Sequence, residues 1–135
     1  MEVVRARPAG MKWLRATGSV DASFARLEAA VAQRGPTVFA RIDFAADAAA
    51  VGLTLRPTRL LQFGNPRAGT PLIVAAPSVA LDLPLKVLVW EADDGTVWVG
   101  YTTPEYLAER HGVPAELLAG VRPVEARAAI AAGTA

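Results

Sequence analysis

Val20, Phe24, Leu27 and Val31 recur at steps of four, three and four, which lays them along one face of a helix. Ser19 or Asp21 offers a short side-chain oxygen to cap its start, and Gly35-Pro36 stops it. Ahead of it, Trp13, Arg15 and Thr17 alternate with Lys12, Leu14 and Ala16, the period of a first strand that Gly18 and Ser19 end. Thr37 to Phe44 alternates again, with Val38, Ala40, Ile42 and Phe44 on one face and Phe39, Arg41 and Asp43 on the other. Ala45 to Val51 is alanine-rich and closes on Gly52, which predicts a short helix.

Arg59 to Phe63 reads as a third strand. Gly64-Asn65-Pro66-Arg67-Ala68-Gly69-Thr70-Pro71 follows as a turn-rich loop before the apolar run Leu72 to Ala76. Thr70 then Pro71 predicts a helix start, with the hydroxyl as cap and proline at the first helical position. Leu85 to Glu91 and Thr96 to Thr102 flank Asp93-Asp94-Gly95, the Asp-Gly signal of a hairpin. Thr103-Pro104-Glu105 opens another helix that Gly112 ends, and a last one runs from Pro123 to Ala131 with frayed final residues. The order predicts an α+β fold: an antiparallel sheet with helices mainly on one face.

The length of 135 residues is that of one domain. Residues 1–11 read as an N-terminal extension and residues 12–135 as a single α+β domain, with either Met1 or Met11 as the first residue. A hydrophobic share of 53% with 20% charged residues is that of a folded chain. A net charge of +1, from 14 basic and 13 acidic residues, argues against duplex nucleic acid as a partner. With no cysteine and one histidine, thiol chemistry, disulfides and a transition-metal cage drop out, so neither metal nor cofactor is expected. Arg5 and Arg7 precede no long apolar core, and no apolar run reaches membrane-spanning length, so the expected location is cytoplasmic.

Two stretches carry a resemblance. One is Leu60-Leu61-Gln62-Phe63-Gly64-Asn65-Pro66-Arg67-Ala68-Gly69-Thr70-Pro71-Leu72. The other runs from Asp82-Leu83-Pro84-Leu85-Lys86 through Val89-Trp90-Glu91, Val97-Trp98 and Tyr101 to Pro104, Tyr106-Leu107 and Arg110-His111. With Val38 to Asp43, these resemble the domain of unknown function 302 family over roughly residues 12–113. The resemblance implies a fold like one half of the TATA-binding protein, strand-helix-four strands-helix, and a dimer; it implies no established activity. The chain departs from the family pattern at Phe44, where relatives commonly place histidine, and more mildly at Ala92 and Thr102.

The glycine-rich segment is the leading candidate site, formed by Gly64, Asn65, Arg67, Gly69 and Thr70. Loop amides followed by a helix start suit a phosphate or carboxylate, and Arg67 adds a charge-assisted grip. The plain alternative is a turn whose glycines only permit the backbone path. Arg41 and Asp43 point the same way from one strand, and Asp82, Lys86 and Glu91 sit beside strand ends; such groups perform acid–base work or form structural ion pairs. His111 closes a helix, which suits a capping or packing role. Ser19, Ser23 and Ser78 lack the context of a nucleophile elbow. Phe39, Leu88, Trp90 and Trp98 leave one sheet face apolar, to be covered by more chain, a partner subunit or a ligand. Three readings follow: a homodimeric binding module for a small anionic or amphipathic ligand, a cofactor-independent enzyme using Arg41, Asp43 or Glu91, and a structural interaction domain.

Overall fold

The computed structural model describes residues 7–33 and 35–134. Strands β1 (Met11–Arg15), β2 (Thr37–Asp43), β3 (Thr58–Gly64), β4 (Leu85–Glu91) and β5 (Val97–Thr102) form one antiparallel sheet in the order β1-β5-β4-β3-β2. Helix α1 (Val20–Gln33) crosses from one edge strand to the other, and α5 (Pro123–Ala132) packs beside it on the same face. Between them in sequence come α2 (Phe44–Ala50), α3 (Pro66–Ala75), α4 (Pro104–His111) and two 3-10 turns at Pro77–Asp82 and Ala115–Gly120.

The helix stripe predicted from spacing is the core stripe of α1: Val20, Phe24, Leu27 and Val31 are all buried. Opposite them, Leu61, Phe63, Val87, Val89 and Val99 point inward from the sheet, and Ala128, Ala131 and Ala132 let α5 approach closely. Ser19 caps α1, its Oγ accepting from the Ala22 amide at 3.0 Å. Asp21 lies instead 3.3 Å from Arg59, whose guanidinium stacks 4.1 Å over the Phe24 ring. The hairpin forms as expected, with Gly95 at φ 85° in the turn between β4 and β5.

Four details differ from the sequence reading. The strict alternation of β2 breaks at a bulge between Val38 and Ala40. Val38 therefore shares the helix-covered face with Arg41 and Asp43, and the extra residue, Phe39, is re-aimed over Gly64 with Cε2 3.8 Å from its would-be Cβ. Second, α3 starts at Pro66 rather than Pro71, with Asn65 as its cap. Asn65-Pro66 and Thr70-Pro71 are equivalent start signals that local sequence does not rank; the helix begins at the earlier one and carries Pro71 inside it, where proline donates no amide bond. Third, the end of α5 is pinned rather than frayed: Arg26 donates to the Ala131 carbonyl at 2.8 and 3.1 Å, and the Thr17 amide donates to Ala132 at 3.0 Å. Fourth, the first strand starts at Met11, paired with Thr102, rather than at Lys12, and the Gly10 carbonyl accepts from the Thr103 amide at 2.8 Å. Residues 1–6 of the proposed extension, Arg5 among them, lie outside the described residues.

Candidate functional site

Where β3 ends and β4 begins, the backbone leaves a cavity of about 270 Å³. It is lined by Gly64, by the first turns of α3 (Asn65, Pro66, Gly69, Thr70, Ile73), by the segment Ala80, Leu83, Pro84 and Leu85, and by Phe39, Gly120 and Val121. The β2 bulge is what brings Phe39 there. Four of the five residues read as the loop site, Gly64, Asn65, Gly69 and Thr70, thus line one space, while Arg67 follows the lining residue Pro66 with its side chain exposed. Sequence reasoning missed Phe39 as a wall and missed Ile73, Ala80, Leu83, Pro84 and Val121. Their approach depends on the bulge and on the packing of the Ala115–Gly120 turn against α3, where the Gly120 Cα faces Ala68 and Leu72 with no room to spare.

The wall is mostly apolar, and its polar groups gather at the start of α3. The Asn65 side chain accepts from the Arg67 amide at 3.0 Å, and its carbonyl accepts from the Ala68 and Gly69 amides, each at 2.9 Å. The amides expected to converge on an anion are therefore held by Asn65 itself, because the segment is a capped helix and not an open loop. What remains for a ligand is the Thr70 hydroxyl, the Arg67 guanidinium and the positive end of a ten-residue helix.

The second group of sequence candidates is not brought together. Arg41 pairs with Glu28 of α1. Asp43 caps α2, its Oδ1 accepting from the Ala46 amide at 2.9 Å. Glu91 pairs with Arg56 at 2.9 Å. Lys86 lies in a smaller hollow with Asp82, Thr102 and Leu107; burial holds its pKa below the usual lysine value, with Asp82 opposing part of the effect. Among the described residues no three His, Asp or Glu side chains converge as a metal site would require.

The sheet face away from α1 and α5 is the other distinctive surface. Trp13, Trp90 and Trp98 cluster there, with Trp13 edge-on to Trp90 at 4.9 Å and tilted against Trp98 at 5.9 Å. Arg7 lies over both Trp13 and Trp98, at 5.0 and 5.3 Å from the ring centres. All three indoles are half-buried, as are Leu60 and Leu88 beside them. No helix of the described residues is long and apolar enough to cross a membrane.

The family model described as a domain of unknown function, DUF302, matches residues 14–131. A protein named fluoride-specific ion channel FluC 1 from Brucella suis is 38% identical over 104 residues, which is 77% of this chain and 41% of that protein. Its namesake from Brucella abortus is also 38% identical over 104 residues, 38% of its own length. The chain thus spans about two fifths of these longer relatives. The crystal structure of an uncharacterized conserved DUF302 protein from Bacillus stearothermophilus superposes with a TM-score of 0.74 at 20% identity, covering 94% of this chain and 98% of that one. That likeness is one of fold.

Proposed function

The chain belongs to the domain of unknown function 302 family, and from that premise we propose that it is a dimeric binding module for a small amphipathic ligand with an anionic head. The observation that carries this reading is the cavity of about 270 Å³ between Phe39, α3 and the Leu83–Leu85 segment. An apolar wall with few polar groups at one end is the usual make-up of a small-molecule site, and this volume falls at its lower limit, which suits a short ligand. The apolar body would sit against Phe39, Ile73 and Leu83, with the head near Thr70 and Arg67. The half-buried tryptophan face supports the dimeric part of the reading, since a two-fold contact is the common way to bury a self-complementary apolar surface. No observation favours a reaction at Arg41, Asp43 and Glu91, whose side chains are engaged elsewhere.

Calorimetric titration with octanoate, octanol, phosphate, sulfate and fluoride tests the proposal; fluoride is included because the longer Brucella relatives are named as fluoride channels. Octanoate should bind, and Arg67→Ala should weaken it by roughly tenfold, the loss of one exposed charge-assisted contact. Gly69→Leu should abolish binding, because a Cβ at Gly69 meets only Leu83, at 3.9 Å, and a longer side chain grows into the cavity. If the wild type takes up none of the five, or if Gly69→Leu binds octanoate as well as the wild type does, the cavity is not a ligand site.

A further inference from the structure

One cluster lies outside that cavity. Ser78 sits in the Pro77–Asp82 turn with its Oγ 2.8 Å from Nδ1 of His111, the last residue of α4. The other ring nitrogen, Nε2, meets Oδ2 of Asp82. A single 3-10 turn therefore supplies both groups that hold the imidazole. Arg110 grips the same carboxylate, its Nη1 lying 3.2 and 3.0 Å from the two oxygens. The histidine side chain is only 4% exposed, whereas Ser78 is open to solvent. An ionised carboxylate can only accept, so Nε2 donates to Asp82, and in the neutral ring Nδ1 then turns its lone pair to the Ser78 hydroxyl, which donates.

We propose that Ser78, His111 and Asp82 form an activated-serine site for acyl transfer, acting on esters with a short apolar acyl group. The arrangement has the three parts such chemistry requires: a hydroxyl, a base within hydrogen-bond reach of it, and a third group that orients the base. The ring is used in the opposite sense to the serine-protease template, where serine faces Nε2. The requirement is only a basic nitrogen at the hydroxyl and an N–H at the carboxylate, and both are met. Side chains three apart eclipse on a 3-10 helix, so Leu81, 76% exposed, stands in line with Ser78 as a landing surface for an apolar acyl chain. In the reaction Ser78 Oγ bonds to the ester carbonyl carbon and its proton passes to Nδ1. The bond from carbon to the alcohol oxygen then breaks, and the leaving alcohol takes the proton from Nδ1. Water, deprotonated by the same nitrogen, later releases the acid and restores the serine. Ester and water become acid and alcohol, with no other reactant.

The same contacts also tie the Pro77–Asp82 turn to α4, so the test reads covalent chemistry. The intact protein is incubated with p-nitrophenyl butyrate and, separately, with a fluorophosphonate, then examined by intact and peptide mass spectrometry. A single adduct on Ser78 is expected, absent in Ser78→Ala and formed at least a hundredfold more slowly in His111→Gln. Asp82→Asn, which keeps the size of the side chain, should slow it as well. Circular dichroism melts identify any variant that has lost its fold. The proposal is overturned if the folded wild type gains no Ser78 adduct and releases p-nitrophenol no faster than Ser78→Ala. An adduct that forms at the wild-type rate in folded Asp82→Asn and His111→Gln overturns it equally.

Discussion

Gly100 lies on β5 under the tryptophan cluster, opposite Leu88 and Trp13 in the ladder. A Cβ at this position would stand 2.9 and 3.2 Å from two Trp90 ring carbons and 3.0 Å from the Met11 terminal methyl. Methionine can swing its methyl aside, but the indole is a rigid plate. Carbon atoms rest at about 3.5–4.0 Å, so the ring must retreat by several tenths of an ångström to an ångström. That movement disturbs its edge-on contact with Trp13, a geometry worth about 0.5–1.5 kcal/mol. Overpacking of this kind costs about 1–3 kcal/mol, while replacing a strand glycine by alanine returns about 0.5–1 kcal/mol of backbone entropy. Taking the middle of each range, Gly100→Ala should therefore lose about 1 kcal/mol, a fall in Tm of roughly 3–5 °C for a chain of this size. Urea titration followed by circular dichroism and by tryptophan emission measures it. All 3 tryptophans of the chain belong to this cluster, so the emission reports on this face alone. In a Trp90→Leu background the same substitution should become neutral or stabilising. If Gly100→Ala is as stable as the wild type in the original background, the indole does not constrain this position and the reasoning fails.

Two further outcomes follow from local geometry. Asn65→Ala should cost about 1 kcal/mol, because it strips the cap from α3, whereas Thr70→Ala, inside that helix, should cost less than half as much in the same denaturation assay; the opposite ranking would restore Thr70 as the start of the helix. Burial lowers the pKa of Lys86 from 10.5, so over the interval below that value the unfolded chain binds more protons than the native one, and the resulting penalty fades as the pH rises. Lys86→Met should accordingly be more stable than the wild type at pH 7, with the difference narrowing toward pH 10.5 in paired urea titrations, and a widening gap would contradict the assignment.

What was legible in the sequence is what repeats along the chain. The stripe from Val20 to Val31, the Asp-Gly hairpin and the Thr103 cap of α4, whose hydroxyl accepts from the Tyr106 amide at 3.2 Å, all follow from local spacing and local hydrogen bonding. The apolar surplus of Leu88, Trp90 and Trp98 was readable too, since alternation places them on the face that the helices leave uncovered. The start of α3 was not, because two Asx/Thr-Pro signals compete within six residues and only tertiary packing decides between them. The bulge at Phe39 was hidden for a related reason: Val38, Ala40 and Ile42 alternate perfectly on paper, and the register shift appears only when β2 meets β3. Ser78 and His111 are 33 positions apart, so no motif could link them. A capping or packing role was expected of His111; it is the last residue of α4, and nothing local told what its ring would face.

The pinned end of α5 has a consequence for how the molecule is made. Strands β2 to β5 join as neighbours in sequence and space, the kind of meander that can close locally and early. Strand β1 and α1 emerge from synthesis before any of them, and the strand that pairs with β1 and the helix that packs beside α1 lie far down the chain. Met11 waits for Thr102, and Arg26 waits for a carbonyl 105 residues further on. Until α5 docks, the side of α1 that receives Ala128, Ala131 and Ala132 has nothing to pack against, and the sheet keeps only half of its helical cover. Such a species exposes apolar surface on both faces at once, on the tryptophan side and beneath the missing helix. Docking of the last helix is therefore expected to complete the cover of the sheet, and a delay at that point would leave apolar surface open to aggregation.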